Sequence, residues 1–149
     1  MQLSSCPLED IIPHREPMVL LDRIVSADLD GRRLTAEFVA RPEWSENWAS
    51  IEYMAQAAAA MAGLTDRAAG EKGPPKLGFL LGTRRLELDF DRFRPGCAYR
   101  VEVHNEFSDS EAASFDCAIV DDGGRTVARA LLSAYRPKDI DAFVKERKT

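Results

Sequence analysis

The chain has 149 residues, a formal net charge of −5 at pH 7, and 45% hydrophobic and 30% charged residues. This length fits one domain, 1–149, which is large enough to bury a sizeable core. The acidic balance argues against nucleic acid as a partner, and no apolar run approaches the roughly 20 residues that span a bilayer.

The N-terminal sequence and the cysteines favour a cytoplasmic protein. The opening MQLSSCPLEDIIPHREP contains neither the positive start nor the continuous apolar run of a secretory signal. Cys6, Cys97 and Cys117 are odd in number, widely spaced and accompanied by only two histidines. This pattern predicts neither a disulfide framework nor a metal site.

Hydrophobic periodicity predicts two strands, a long helix and four more strands. A period of two indicates strands in 18–29 and 32–41, with Asp30-Gly31 as the turn between them. The segment Trp48–Ala69, rich in alanine and methionine, predicts a helix capped by Asn47 or Ser50. The glycines and prolines of 68–76 must end it. The remaining predicted elements are strands in 77–90, 98–109, 112–122 and 125–136, and a short amphipathic helix in 138–147.

These elements predict an antiparallel α+β domain in which a sheet of about six strands covers the helix. The helix is apolar around most of its circumference, so we expect the sheet to curl round it. A carboxylate on such a helix must be paired, hydrogen-bonded or functional, because desolvating an unpaired charge is costly.

Glu52 is that carboxylate, and Gln56 lies one helical turn after it on the same face. The helix macrodipole favours the ionised form of a first-turn glutamate, whereas burial opposes it, a combination that can produce a tuned acid or base. The alternative is a structural carboxylate paired with an arginine.

His14 lies in a segment that Pro13 and Pro17 stiffen before the first strand. From the local sequence it is either a loop histidine bonded to a backbone carbonyl or a catalytic group, and the first role is the more common. His104 alternates with valines and is predicted to be an ordinary sheet residue.

Three segments in collinear order resemble the hot-dog-fold 3-hydroxyacyl-carrier-protein dehydratases of fatty acid synthesis: IPHREPMVLLDRI at 12–24, IEYMAQAAAAMAG at 51–63 and GFLLGTRRLELDFDRFRPGCAYRVEV at 78–103. The resemblance covers residues 8–136. The PHREPM and IEYMAQ motifs are also similar to those of predicted dehydratases of aryl polyene-type lipid pathways.

The resemblance implies a hot-dog fold and a dimer that removes water from a 3-hydroxyacyl thioester without a cofactor. Glu52 then protonates or holds the departing hydroxyl, while a histidine takes the proton next to the carbonyl. We expect His14, Asn47, Trp48 and Gln56 to contribute to substrate binding. For the two tryptophans, Trp44 and Trp48, a role in the core or at the dimer interface is the alternative.

The chain departs from the family pattern where the histidine is expected. In the corresponding stretch, FVARPEWSENWAS, Phe38 falls near the histidine position and Glu46-Asn47 near the family's Pro-Gly. Since family sites combine the histidine of one subunit with the carboxylate of the other, this chain suits a heterodimer with a histidine-bearing homologue. The alternatives are a thioesterase that uses Glu52, or a subunit that binds acyl chains or a partner without catalysis.

Arg84, Arg85, Arg92 and Arg94 cluster around one strand and its following turn. Charge complementarity predicts that an acidic acyl carrier protein docks there. A solvated strand face with alternating charges is the alternative interpretation of RRLELDFDRFR.

Overall fold

The computed structural model describes Leu8, Ile12 and residues 19–70, 79–109 and 111–135, with only the backbone for 79–81. Its elements are β1 (Arg23–Asp28), β2 (Arg33–Val39), α1 (Ser50–Ala68), β3 (Phe79–Leu88), β4 (Ala98–Ser108), β5 (Ala112–Val120) and β6 (Thr126–Tyr135). Two 3-10 turns, Pro42–Trp44 and Asn47–Ala49, lead into α1. The helix predicted in 138–147 lies outside the described residues.

The six strands form one antiparallel sheet in the order β1-β2-β4-β5-β6-β3, so β1 and β3 are its edges. The helix packs against β2, β4, β5 and β6. Inward-facing residues alternate along the strands, as in Val101 and Val103 of β4 and Cys117 and Ile119 of β5, all of them buried. The predicted α+β architecture, with the sheet around one long helix, is confirmed.

The helix α1 is buried on most sides and partly open along one. Its buried residues include Tyr53, Met54, Ala57, Met61 and Leu64. The partly exposed positions recur at helical spacing, as they would along a single face; they are Ile51, Glu52, Ala55, Ala59, Ala62, Gly63 and Asp66. Glu52 therefore lies on the open side of an otherwise enclosed helix. None of the described helices is both long enough and apolar enough to cross a bilayer.

Two boundaries differ from the sequence prediction for physical reasons. The first strand begins at Arg23 instead of residue 18, because side chains engage the backbone before it: the Leu20 N–H donates to Gln56 Oε1 (2.8 Å) and Arg41 donates to the Val19 carbonyl (3.1 Å). The predicted cap of α1 is wrong, since the N-cap residue is Ala49 and no side chain caps it. Ser50 Oγ is buried and finds no hydrogen-bond partner among the described residues.

Candidate active site

Glu52 lies in the first turn of α1 and is partly exposed. Within the described part of the chain, no hydrogen bond or ion pair involves its carboxylate, so the arginine partner of the structural alternative is not found there. The helix start supplies a positive dipole end that no capping side chain engages. The carboxylate is therefore accessible to a molecule bound beside the helix.

Gln56 follows Glu52 by one turn but is fully buried. Its Oε1 accepts the Leu20 N–H in a buried hydrogen bond of 2.8 Å. This bond ties residues 19–22 to α1, and Asp22 ties the same residues to β2 by accepting the Val39 N–H (2.6 Å). Gln56 thus anchors the chain segment that follows His14, and His14 itself lies outside the described residues.

Phe38 occupies the position near which the family histidine is expected, and an aromatic cluster encloses it. Its ring is fully buried and stacks on Tyr53 with centroids 3.7 Å apart and planes 10° from parallel. The Phe38 ring also contacts Tyr99, with centroids 5.4 Å apart, and Phe93, with centroids 5.5 Å apart and planes nearly perpendicular. We call Phe38, Tyr53, Phe90, Phe93 and Tyr99 the aromatic cluster.

The two hydroxyl groups of the cluster are engaged in hydrogen bonds. Burial raises the pKa of Tyr53 to about 12, and its hydroxyl donates to the Trp44 carbonyl at 3.0 Å. The Tyr99 hydroxyl accepts the Arg94 N–H at 3.0 Å. Both phenols are therefore structural, and this side of the helix contains packing where a catalytic base is expected.

The pre-helix segment, Pro42–Ala49, carries both tryptophans to the start of α1. Trp48 is 55% exposed and packs edge-to-face on Trp44, with centroids 6.1 Å apart. Asn47 donates its side-chain amide to the Phe90 carbonyl at 3.2 Å. Trp48 is thus an exposed aromatic surface one turn before Glu52, whereas Asn47 fastens the segment to residue 90.

The predicted arginine cluster divides between two surroundings. Arg84 and Arg85 lie exposed on the edge strand β3, where Arg85 has a positive φ of 53° at a register shift against β6. Arg92 pairs with Glu46 (3.2 Å), and Arg94 is exposed in the following turn. Across the part of the chain that the structure covers, no three His, Cys, Asp or Glu side chains come together as metal ligands.

His104 lies on β4, where it alternates with the buried residues Val103 and Asn105. Its cross-strand neighbours are Arg33 on β2 and Asp116 on β5, so it belongs to the outward, polar face of the sheet. This placement agrees with the prediction of an ordinary sheet residue.

Comparison with solved structures identifies the architecture as a hot-dog fold. The dehydratase heterocomplex ApeI:P from Xenorhabdus doucetiae superposes with a TM-score of 0.86 at 21% identity, over 97% of this chain and 99% of that one. The E. coli PaaI protein from the phenylacetic acid degradation operon has a TM-score of 0.57 at 13% identity, covering 78% and 82%. A hypothetical thioesterase protein with coenzyme A from Streptococcus pneumoniae TIGR4 has a TM-score of 0.57 at 11% identity, covering 77% and 84%.

The family follows from the sequence itself. The model of the ApeP-like family, described as ApeP dehydratase, matches residues 6–145, and the chain belongs to this family of dehydratases. The resemblance drawn from the three motifs is thereby confirmed. A search of curated protein sequences finds no match.

Sequence reasoning did not assign the anchoring contacts of Asn47, Gln56 and Arg92. Each of the three bonds a partner more than 35 residues away along the chain. Periodicity reports which face of an element is apolar, but it does not report which backbone groups a buried amide will meet. The one available signal was the polar residue itself, since Gln56 lies within the apolar part of the helix and a buried amide must find partners.

Proposed function

We propose that this chain is the glutamate-bearing subunit of a hot-dog dehydratase pair that converts 3-hydroxyacyl-carrier-protein thioesters to enoyl thioesters. One observation carries the proposal: the Glu52 carboxylate is unengaged by the described residues, while the position expected to hold the histidine is filled by Phe38 inside an aromatic stack. A chain with one half of the machinery needs the other half from a partner.

The reaction divides between the two subunits. A histidine of the partner takes the proton from the carbon next to the thioester carbonyl, and the electron pair forms the new double bond. The C–O bond to the hydroxyl breaks, and Glu52 donates the proton with which that hydroxyl leaves as water. No cofactor is required, since the elimination involves no change in oxidation state.

Charge builds on the thioester oxygen as the proton leaves. The 3-10 turn Asn47–Ala49 runs directly into α1, and no side chain caps α1, so the positive dipole end of this helical run lies at the pre-helix segment and suits that developing charge. Trp48 offers a flat apolar surface for the acyl group beside it. We assign His14, Asn47 and Gln56 supporting roles in substrate binding, with Asn47 and Gln56 acting through the segments they anchor.

The partners are a histidine-bearing hot-dog homologue and an acidic acyl carrier protein. The similarity to a dehydratase heterocomplex supports the first. For the second, Arg84, Arg85 and Arg94 present exposed guanidinium groups, with Arg92 as the fourth member of the predicted docking site. The cytoplasmic location stays a prediction.

The test is reconstitution with a histidine-bearing hot-dog homologue from the same genome. Each chain alone and the mixture receive a 3-hydroxyacyl-carrier-protein substrate; mass spectrometry follows the enoyl product and a thiol reagent follows release of the carrier thiol. We expect enoyl product only in the sample that contains both chains. Product from this chain alone would indicate a base within it, such as His14, and would reject the shared site. Released thiol without enoyl product would indicate the thioesterase alternative. If none of the three samples formed enoyl product or released thiol, a non-catalytic subunit would be favoured.

A further inference from the structure

Besides the Asn47 amide bond to Phe90, one arginine attaches the pre-helix segment to the chain that follows β3, and it does so with two hydrogen bonds. Arg92 Nη2 donates to Ser45 Oγ (3.1 Å) and to Glu46 Oε1 (3.2 Å). Beside these bonds, Glu46 and Arg92 form an isolated antiparallel bridge, and the Phe93 N–H donates to the Ser45 carbonyl at 2.7 Å. Ser45 and Glu46 are therefore held both by the Arg92 side chain and by backbone contacts of residues 92 and 93.

The two partners of Arg92 differ in burial, which makes their bonds unequal. The pair with Glu46 is open to solvent, with side chains 60% and 55% exposed, so it contributes little by itself. Ser45 is 1% exposed, and its hydroxyl donates to the Pro42 carbonyl at 2.8 Å while it accepts from Arg92. Removing Arg92 leaves a buried acceptor without its donor, which costs more than the loss of an exposed ion pair.

The segment that Arg92 holds carries the groups nearest to the proposed chemistry. It contains Trp44 and Trp48 and runs directly into the first turn of α1, where Glu52 lies. On its other side the Trp44 carbonyl is fixed by the Tyr53 hydroxyl. A displacement of Ser45 would therefore pass to both indoles and to the helix start.

We propose that Arg92 is a positioning residue of the Glu52 half-site: through Ser45 and Glu46 it fixes the pre-helix segment so that Trp48 and the start of α1 present a preset surface to the substrate. This assignment gives Arg92 a different role from carrier docking. Its consequence for turnover rests on the proposed dehydratase function, whereas its consequence for the segment does not.

Arg94 is the matched control. It lies two residues further along, carries the same charge and is exposed. Among the described residues its side chain makes no hydrogen bond or ion pair, and only its backbone is engaged, by Tyr99 and Cys97. Arg92→Gln and Arg94→Gln therefore remove equal charge, but only the first releases Ser45.

The first experiment needs no activity. The chain has two tryptophans, at 44 and 48, so ¹⁵N-labelled protein gives two indole N–H signals and both report on the pre-helix segment. We expect Arg92→Gln to shift both signals, Arg92→Lys to shift them less, and Arg94→Gln to leave them in place. The exchange of Glu46→Arg with Arg92→Glu restores only the exposed pair and supplies no donor to Ser45, so it should recover little of the shift. Unmoved indole signals in Arg92→Gln would overturn the proposal.

The second experiment compares substrates in the reconstituted pair. We expect Arg92→Gln to lower kcat about tenfold or more on both the carrier-bound substrate and its pantetheine analogue, because misplacement at a distance from the reacting atoms lowers turnover generally. Arg94→Gln should raise KM for the carrier-bound substrate alone. A rise in KM confined to the carrier-bound substrate in Arg92→Gln would assign Arg92 to docking. An inactive wild-type pair would reject the dehydratase function, and the indole signals would still decide whether Arg92 holds the segment.

Discussion

Glu52 and Tyr53 are consecutive residues of α1 that lie in opposite environments. The Glu52 carboxylate is partly exposed and unengaged among the described residues, whereas Tyr53 is 1% exposed, stacked on Phe38 and bonded to the Trp44 carbonyl. The contacts of Tyr53 are supplied within this chain, whereas the Glu52 carboxylate has no partner among the described residues. This difference is what the proposed function requires, since in it the substrate and a second subunit meet the open side of the helix.

Replacing Glu52 should cause the largest change in activity and almost none in stability. In the reconstituted pair, Glu52→Gln should lower dehydration by about 10²–10⁴-fold, the usual contribution of general acid–base catalysis. The free energy of unfolding should change by less than about 0.5 kcal/mol, because no described contact is lost. Enoyl formation and urea unfolding measure the two effects.

Glu43→Gln is the control for that substitution, since Glu43 is an exposed glutamate of the pre-helix segment that makes no hydrogen bond or ion pair with a described residue. It should leave both dehydration and unfolding unchanged. Equal activity of the Glu52→Gln pair and the wild-type pair would remove Glu52 from the catalytic machinery and would favour the non-catalytic role.

Replacing Phe38, unlike replacing Glu52, should cause a large loss of stability. Phe38→Ala empties the centre of the aromatic cluster, and truncating a buried phenylalanine costs about 3–5 kcal/mol of unfolding free energy. The neighbouring Val39 is 41% exposed, so Val39→Ala should cost no more than about 1 kcal/mol. Urea midpoints of the two variants give the comparison. A Phe38→Ala loss as small as that of Val39→Ala would mean that this side of the helix is not tightly packed.

The sequence predicted the fold more fully than the site, for reasons that particular residues show. The alternation of apolar and polar residues identified β4, and the run of alanines and methionines identified α1, because both patterns report burial directly. Glu52 was found because a carboxylate on an apolar helix needs an explanation. The stack of Phe38 on Tyr53 was not predicted, since it joins residues of two elements whose relative rotation no local pattern specifies.

The hydroxyl of Tyr53 joins the filled side of the helix to the segment that carries Trp48. Tyr53→Phe keeps the stack and removes the bond to the Trp44 carbonyl, so we expect a loss of about 1 kcal/mol in unfolding free energy near neutral pH. Because burial raises the folded-state pKa of Tyr53 to about 12, the neutral phenol stabilises the fold fully below about pH 10.

That stabilisation should disappear as the pH rises from about 10 through 12. Urea midpoints of the wild type should therefore fall more steeply across this range than those of Tyr53→Phe. Parallel curves for the two proteins would show that Tyr53 titrates normally and is less enclosed than the stack with Phe38 implies.

The backbone of the edge strand β3 is strained at Arg85, in contrast to the well-packed side of the helix. Arg85 adopts a positive φ of 53°, and the three steps from Arg84 to Glu87 face two steps of β6, from Leu131 to Arg129, which defines a bulge. A left-handed conformation costs a non-glycine residue about 1–2 kcal/mol, while glycine gives back about 0.4–1 kcal/mol through the entropy of the unfolded chain. We therefore expect Arg85→Gly to stabilise the fold by up to about 1 kcal/mol in urea unfolding.

Arg84→Gly is the matched control, because Arg84 is an exposed arginine on the same strand without a positive φ. Glycine in an ordinary strand position loses entropy with no relief of strain, so this variant should be destabilised by about 0.5–1 kcal/mol. If Arg85→Gly stabilises the fold and Arg84→Gly destabilises it, the backbone at the bulge carries a conformational cost. Equal losses would show that Arg85 bears no strain, since a glycine there would then gain nothing from its freedom at positive φ.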